Sequence, residues 1–140
     1  LLDGVQDPGN LGTILRTADA LAVPVVLLPG CADVWNPKVV RASMGAAFRA
    51  VPVAMTREAA VASCRKNNVR LLATALRADA HDLREETLSQ TAVIIGSEGQ
   101  GVCRELLDAA DGTVIIPMQS HCESLNAAVA ATIVMWQMRR

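Results

Sequence analysis

Three segments of this chain carry the side chains with which it could do chemistry. Residues 7–18 read D-P-G-N-L-G-T-I-L-R-T-A, and residues 93–101 read V-I-I-G-S-E-G-Q-G. Residues 115–118 and 124–130 read I-I-P-M and S-L-N-A-A-V-A. Together they supply a guanidinium, a carboxylate and side-chain amides, which are groups that bind a polar substrate or move its protons. The function therefore depends on whether the helices and strands of the fold bring these three segments together.

The first segment has two interpretations. On local physics it is a Pro-Gly turn and a capped helix, with Asn10 as the N-cap and Arg16–Asp19 as a surface ion pair of little weight. The functional interpretation starts from Gly12, because glycine inside a helix costs about 1 kcal/mol relative to alanine. A missing side chain one turn before Arg16 would leave room for a bulky group such as a ribose-phosphate.

The glycine-rich loop does not match the common phosphate-binding loops. Its glycines at positions 96, 99 and 101 do not form G-x-G-x-x-G, and no G-K-[ST] follows them. Glu98 would repel a phosphate inside such a loop, whereas a positively charged sulfonium cofactor tolerates a carboxylate. Taken alone, the loop is a weak signal for any one ligand.

Other polar residues have simpler interpretations. Ser120 and Glu123 have the spacing of a capping box before the last helix. His81 and His121 are interpreted as loop residues without a catalytic role. The four cysteines lack C-x-x-C spacing, which argues against a zinc ribbon or a disulfide scaffold, and we expect no metal. Dispersed thiols suit a reducing compartment.

Size and composition indicate a single domain with an aliphatic core. The chain has 140 residues, of which 51% are hydrophobic and only 2% aromatic, and no segment is long enough to predict a membrane span. Its net charge of −1 argues against gripping nucleic acid by an overall positive field. Trp35 and Phe48 are the only candidates for stacking on bases, and we expect both in the core. Any RNA contact must come from local basic clusters, a dimer groove or a further domain.

Short apolar runs alternate with amphipathic stretches, which predicts an α/β domain with a mostly parallel sheet and helices on both faces. The polar segment 77–89 is expected to be the least regular. The last helix is apolar nearly all round, which predicts that protein encloses it at a subunit interface. We expect strands at residues 25–28, 51–53, 69–73, 93–95 and 114–116, and helices at residues 11–21, 38–47, 57–67, 104–109 and 125–138.

The combination N-x-G-x-x-x-R-T-A, G-S-E-G-x-G and I-P-M…S-L-N resembles the SpoU-type RNA 2′-O-ribose methyltransferases of the SPOUT superfamily. The resemblance covers essentially the whole chain, in the family's motif order, and Gly45 in R-A-S-M-G-A matches a further family segment. It implies an α/β fold with a deep trefoil knot, a tight homodimer and S-adenosyl-L-methionine as cofactor. Sequence physics alone would not suggest a knot, because knots are nearly absent from proteins.

The resemblance also assigns roles to residues. The cofactor is expected against Gly96, Ile116, Met118 and Leu125, with glycine where the backbone approaches it and Ile116 and Leu125 on either side of the adenine. Arg16 is expected to orient the ribose-phosphate and help deprotonate the 2′-hydroxyl. Because arginine stays protonated, a phosphate clamp is favoured over a literal base. The family's polar active-site positions correspond to Asn10, Arg16, Glu98, Ser124 and Asn126.

The sequence says less about the RNA target, the rest of the protein and its location in the cell. The chain is interpreted as a catalytic domain, residues 1–140, whose first strand is cut short, with an RNA-binding N-terminal part missing. The segment N-P-K-V-V-R at residues 36–41 favours ribosomal RNA over transfer RNA as the target. We expect a cytoplasmic protein, with an organelle matrix as the alternative. The alternative functions are an inactive knotted RNA-binding module and a nucleotide-binding α/β enzyme.

Overall fold

Short strands and helices alternate along the chain. The computed structural model describes residues 1–122 and 124–140. The helices are α1 (Pro8–Leu21), α2 (Pro37–Ala42), α3 (Ala46–Arg49), α4 (Arg57–Lys66), α5 (Arg104–Ala109) and α6 (Ala127–Met138), with a 3₁₀ turn at Leu83–Glu85, and the strands are β1 (Val26–Leu27), β2 (Val53–Ala54), β3 (Arg70–Thr74), β4 (His81–Asp82), β5 (Thr91–Ile94) and β6 (Gly112–Ile115).

The named strands pair only in parallel. Four of them lie in the order β4-β6-β3-β5, and β1 pairs with β2. Leu2 joins the two sets through parallel bridges to Leu27 and Ile95. The predicted α/β class with a mostly parallel sheet is confirmed.

The sheet is covered on both faces, as alternation along β3 shows. Leu72 packs into one cluster with buried residues of α1, α2, α3 and α6. Leu71 and Ala73 point the other way and pack with residues of α4 and α5. Among the described residues, no helix combines the length and the apolarity that crossing a lipid bilayer requires.

Helix α1 begins earlier than the sequence indicated. Asp7 is its N-cap and accepts a hydrogen bond from the backbone N–H of Asn10 at 2.7 Å, and Pro8 occupies the first helical position. Proline suits that position because the N–H it lacks would have no helical partner there. The interpretation of Asn10 as the N-cap is wrong, since Asp7 caps equally well three residues earlier. The Asn10 side chain is thereby available for contacts elsewhere.

Gly12 lies at a close crossing of α1 and α2. It is buried, and a Cβ at this position would lie 2.5 Å from Cβ of Ala42 and 2.6 Å from the carbonyl oxygen of Val39. Helix α2 therefore fills the space beside Gly12. The expectation that this space admits a ribose-phosphate next to Arg16 is wrong, and the glycine is explained by helix packing.

The helix predicted over residues 38–47 is broken into α2 and α3. Met44 and Gly45 adopt φ angles of 50° and 86°, in the left-handed region that ends a helix. Ser43 is fully buried at this corner. Its Oγ donates to the carbonyl oxygen of Val40 at 2.7 Å and accepts from the N–H of Ala47 at 3.3 Å, which joins the two helices.

The core contains none of the aromatic rings. Trp35 and Phe48 are 51% and 64% exposed, and their ring centroids lie 5.7 Å apart. The expectation that both are core residues is wrong, because Leu, Ile, Val and Ala side chains fill the interior without them. The protein thus presents two adjacent rings to solvent.

The segment 77–89, expected to be irregular, contains β4 and the 3₁₀ turn. Glu86 fixes it: its Oε2 accepts from Nη1 of Arg70 at 2.6 Å, and its Oε1 lies 2.8 Å from Nδ1 of His81. These hydrogen bonds, from Arg70 first, lower the pKa of Glu86 below its usual value. Pairing of β4 with β6 supplies the order that the polar local sequence does not predict.

Helix α6 is covered on one face only within a single chain. That face packs against α1 and the sheet. The other face carries the α6 stripe, Val129, Ile133 and Trp136, which are 48%, 37% and 64% exposed at helical spacing. The helix starts at Ala127, with Asn126 as its N-cap, two residues later than expected. One chain alone therefore does not enclose this helix.

Candidate active site

The loops after three neighbouring strands meet at one edge of the sheet. Strands β5, β3 and β6 are parallel neighbours, so their carboxyl ends lie side by side. Ligands of open parallel sheets bind at that edge. A cavity of about 440 Å³ is found there, lined by residues within 74–77, 95–102, 114–118 and 124–130. Its volume falls in the range of small-molecule sites.

The residues predicted to hold the cofactor all line this one cavity, although three separate segments contribute them. Apolar side chains and the backbone of the glycine-rich loop form much of the wall. That these residues bind a cofactor remains a prediction, but the fold brings the whole set together: Gly96, Ile116, Met118 and Leu125.

The glycine-rich loop is closed by its own backbone. Ser97 and Gly101 exchange two hydrogen bonds, N–H of Ser97 to O of Gly101 at 3.2 Å and N–H of Gly101 to O of Ser97 at 2.8 Å. A Cβ on Gly96 would lie 2.1 Å from the carbonyl carbon of Gly101. Glycine at 96 is therefore required by the folding of the loop, whereas the sequence interpretation attributed it to approach of a cofactor.

One carboxylate oxygen joins the three motif segments. Oε1 of Glu98 accepts hydrogen bonds from Nδ2 of Asn10 at 2.8 Å, from Nδ2 of Asn126 at 2.9 Å and from the backbone N–H of Ala127 at 3.1 Å. Nδ2 of Asn126 also donates to Oδ1 of Asn10 at 3.0 Å. We call Asn10, Glu98 and Asn126 the polar triangle. It fixes the start of α1, the glycine-rich loop and the start of α6 relative to one another.

The polar triangle also caps α6. Oδ1 of Asn126 accepts from the backbone N–H groups of Ala128 and Val129 at 2.9 Å and 3.2 Å. The Glu98 carboxylate lies at the same helix end, where the helix dipole favours negative charge. The helix N-terminus is thus satisfied by two side chains, and its position relative to the cavity is set.

Arg16 stands apart from the polar triangle. It is exposed on α1, six residues after Asn10, which is about 9 Å along the helix axis. Its pairing with Asp19, the simpler interpretation, is wrong, because the Asp19 carboxylate accepts from Nε and Nη2 of Arg49 at 2.8 Å and 2.6 Å. Within residues 1–122 and 124–140, Arg16 forms no ion pair.

The remaining predicted residues lie on the last cavity loop. Ser124 lines the cavity and is exposed to solvent. His121 is exposed and is not among the residues that line the cavity. The capping box of Ser120 with Glu123 cannot be compared with the structure, because Glu123 lies outside the described residues.

Asp3 supports the site and was not predicted from the sequence. It is buried, with Oδ1 accepting from Nε and Nη2 of Arg57 at 3.0 Å and 2.8 Å, and Oδ2 accepting from the N–H of Cys103 at 2.9 Å. The hydrogen bond to Asp3 raises the pKa of Arg57 above its usual value, and burial raises the pKa of the Cys103 thiol. Asp3 thereby anchors the far end of the glycine-rich loop. Its signal in the sequence is an acidic residue placed directly after two leucines, of which Leu2 forms bridges to both sets of strands.

Comparison with known proteins identifies the family. The model of the SpoU rRNA Methylase family matches residues 1–136. The chain belongs to this family. This SpoU-family chain is 39% identical over 140 residues to the 23S rRNA (guanosine(2553)-2'-O)-methyltransferase RlmP of Bacillus subtilis, in a match that covers 99% of the chain and 56% of RlmP.

Two further relatives are also RNA methyltransferases by name. The SpoU-family chain is 40% identical over 142 residues to a TrmH family tRNA/rRNA methyltransferase of Staphylococcus aureus, covering 100% of the chain and 57% of that protein. The structure of the AdoMet-bound rRNA methyltransferase from Sinorhizobium meliloti matches with a TM-score of 0.92 and 35% identity, over 99% of this chain and 54% of that one. The chain therefore spans a little over half the length of each of these three relatives.

Proposed function

We propose that this chain is the catalytic domain of an RNA 2′-O-ribose methyltransferase that uses S-adenosyl-L-methionine. The observation that carries the proposal is the polar triangle, which joins the three motif segments through Oε1 of Glu98 beside the cavity. Two relatives also support the proposal, because RlmP is a 2'-O-methyltransferase and the Sinorhizobium meliloti protein binds AdoMet.

The cavity suits a cofactor with an adenosine head and a sulfonium centre. Ile116 and Leu125 lie nine residues apart in the connection between β6 and α6 and both line the cavity, so they can hold the adenine between apolar side chains. Glu98 also lines it, and a carboxylate attracts a cation while repelling the phosphates of a dinucleotide. When bound, the cofactor supplies a methyl group already activated by a positively charged sulfur.

The protein must therefore position the acceptor. In the transfer the 2′-oxygen forms a bond to the methyl carbon, the sulfur keeps the electron pair of the bond that breaks, and the hydroxyl proton leaves to solvent. Holding two reactants in line can lower a barrier by roughly 7–11 kcal/mol. Arg16 is the clamp for the acceptor phosphate, because its guanidinium keeps its proton and offers a bidentate fork. Ser124 lines the cavity and is exposed, and in this proposal it contacts the acceptor ribose.

The RNA target is ribosomal RNA in this proposal. RlmP acts on 23S rRNA, and the N-P-K-V-V-R segment at residues 36–41 favours the same class. A net charge of −1 gives the domain little general attraction for RNA. Target choice therefore rests largely on the part of the relatives that this chain does not match, and the protein works in the cytoplasm, where its substrate is.

The assembly is a symmetric homodimer in which the α6 stripe faces its counterpart. Three apolar side chains at helical spacing, each more than a third exposed, are the surface that such an interface would bury. The trefoil knot belongs to the same proposal. Residues within 95–102, 114–118 and 124–130 line one cavity, and a C-terminal segment threaded through a loop would bring these segments together.

Calorimetry and methyl transfer test the proposal. The chain is titrated with S-adenosyl-L-methionine, with its demethylated product and with NAD, and tritiated methyl transfer to ribosomal and transfer RNA is then counted. Cofactor at ~100 times its Kd should stabilise the fold by about 2.7 kcal/mol. Glu98→Ala should abolish transfer, and Glu85→Ala, which removes an exposed carboxylate elsewhere, serves as the matched control.

The other functions predict different results. Binding of NAD in place of the sulfonium cofactor would identify a nucleotide-binding enzyme. RNA binding with no heat from either sulfur ligand would identify an inactive binding module. A product that alkali cleaves at every nucleotide would refute 2′-O transfer, because a methylated 2′-oxygen blocks cleavage at its own position.

A further inference from the structure

The chain exposes an aromatic surface that the proposed reaction does not use. Trp35 and Phe48, the aromatic pair, are 51% and 64% exposed, with ring centroids 5.7 Å apart and planes inclined by 41°. The sequence contains only two Trp, one Phe and no Tyr, so two of its three rings lie together at this position. The core consists of aliphatic side chains, and these two aromatic rings are exposed to solvent instead.

The fold holds the aromatic pair in place. Trp35 lies just before α2, where its backbone N–H donates to Oδ1 of Asp33 at 3.0 Å. Phe48 lies on α3, beyond the corner whose hydrogen bonds Ser43 makes at both ends. The left-handed residues Met44 and Gly45 turn the chain between α2 and α3, and the Phe48 ring lies in a tilted arrangement beside that of Trp35. The rings therefore sit on a structured corner.

The surroundings of the aromatic pair are basic, although the whole chain is slightly acidic. Residues 34–56 contain Lys38, Arg41 and Arg49 and no acidic residue, whereas the net charge of the chain is −1. Lys38 and Arg41 are exposed. Asp33 adds one negative charge at the edge of this segment, where its carboxylate accepts from the Trp35 N–H, and Arg49 is neutralised by Asp19. In the part of the chain that the structure describes, Lys38 and Arg41 form no ion pair, so these two cations outnumber Asp33 and complement a phosphate chain that carries aromatic bases.

This surface is continuous with the face of α1 that carries Arg16. Gly12, Arg16 and Asp19 follow one another at helical spacing on α1. Gly12 contacts α2 at Ala42, and Asp19 bonds to Arg49 of α3. Arg16 lies between these two contacts, so it points to the same side of the molecule as α2 and α3. An RNA strand whose phosphate is bound by Arg16 would next reach the aromatic pair.

We propose that the aromatic pair is a stacking platform for an unpaired base of the RNA substrate, with Lys38 and Arg41 binding the adjoining phosphates. The proposal rests on the proposed function for the identity of the substrate. Stacking on exposed aromatic side chains is a general way of holding single-stranded nucleic acid and tolerates any base. It supplies local affinity for RNA that the net charge of the domain does not.

The fluorescence of Trp35 can report the binding of RNA at the aromatic pair. In a Trp136→Phe background Trp35 is the only tryptophan, so its fluorescence follows the platform alone. The probes are an eight-nucleotide oligoadenylate and an abasic ribose-phosphate oligomer of the same length and charge. We expect quenching by the oligoadenylate and not by the abasic oligomer, because only bases stack. Phe48→Leu should weaken oligoadenylate binding about tenfold, whereas Val51→Ala, which removes exposed apolar surface without a ring, should leave Kd unchanged.

Several results would overturn the platform. Equal quenching by both oligomers would show that only charge binds the strand, and an unchanged Kd in Phe48→Leu would show that the rings do not contribute. A shift from dimer to monomer in Phe48→Leu on sedimentation would make the surface a contact between copies of the chain. Cofactor calorimetry on each variant separates the two proposals. Quenching by oligoadenylate in a chain that binds neither S-adenosyl-L-methionine nor its demethylated product would refute the proposed function and leave the platform standing.

Discussion

Replacing Gly12 by alanine tests whether α1 and α2 pack as closely as the structure shows. Helix propensity alone favours the change by about 1 kcal/mol. Against it, the new Cβ would lie 2.5 Å from Cβ of Ala42 and 2.6 Å from the carbonyl oxygen of Val39. The second contact is with backbone, so α2 must move by about 1 Å, and overpacking of this kind costs about 3 kcal/mol at the upper end of its range.

The net expectation is destabilisation by about 2 kcal/mol, which lowers Tm by roughly 7 °C in a domain of this size. Urea denaturation followed by far-ultraviolet circular dichroism measures the change. Gly99→Ala is the matched control, because no atom lies within 4 Å of a Cβ at that position. The control should stay within about 0.5 kcal/mol of wild type.

A double-mutant cycle with Ala42→Gly locates the cause. Removing the opposing methyl group should recover part of the loss, with a coupling energy of about 1 kcal/mol between the two positions. If Gly12→Ala instead stabilises the protein by the amount that helix propensity predicts, then the space beside Gly12 is open. The packing explanation would be refuted, and room for a ribose-phosphate next to Arg16 would again explain the glycine.

Three more predictions concern function, assembly and pH. Arg16→Ala should keep cofactor affinity and stability within about 0.5 kcal/mol of wild type, while the rate of methyl transfer falls by orders of magnitude. Arg16→Lys should not restore the rate, because lysine lacks the bidentate fork. Wild-type turnover in either variant would contradict the role of Arg16 as a phosphate clamp. Val129→Asp should yield monomers or insoluble chain, and a wild-type monomer on sedimentation would exclude the dimer. Glu86 has a lowered pKa, so its stabilisation is present above about pH 4.3, the value for an unfolded glutamate, and is lost as pH falls through the folded pKa. Glu86→Gln should therefore flatten the loss of stability in acid, and an unchanged urea midpoint profile below pH 5 would disprove this role.

Resemblance to the family's motifs identified the three residues of the polar triangle as polar active-site positions, but it did not predict the hydrogen bonds that join them. Asn10, Glu98 and Asn126 lie in motifs that can be recognised without knowing the fold. Asp3 could not be found in this way, since its partners are 54 and 100 residues away and only the sheet brings them together. Local propensity likewise gives no signal for the positive φ of Met44, which breaks the predicted helix.

The exposed rings show a different limit. Residue type assigns large apolar side chains to the interior, but much of the surface of a folded protein is also apolar, so type alone does not decide whether one side chain is buried. Phe48 lies between buried alanines and an exposed arginine on α3, so its own position in the pattern was ambiguous. Only the corner at Ser43 decides which way the ring faces.

The Glu98 carboxylate has a consequence for the order of folding. Its three donors lie 88, 28 and 29 residues away along the chain, so these hydrogen bonds close long loops. The chain loses the entropy of loop closure before the contacts can stabilise it. During synthesis, the first helix and the glycine-rich loop exist well before residues 126 and 127 are added. The Glu98 carboxylate therefore gains two of its three donors only when α6 docks, so the contact that joins the three motif segments is completed late in folding.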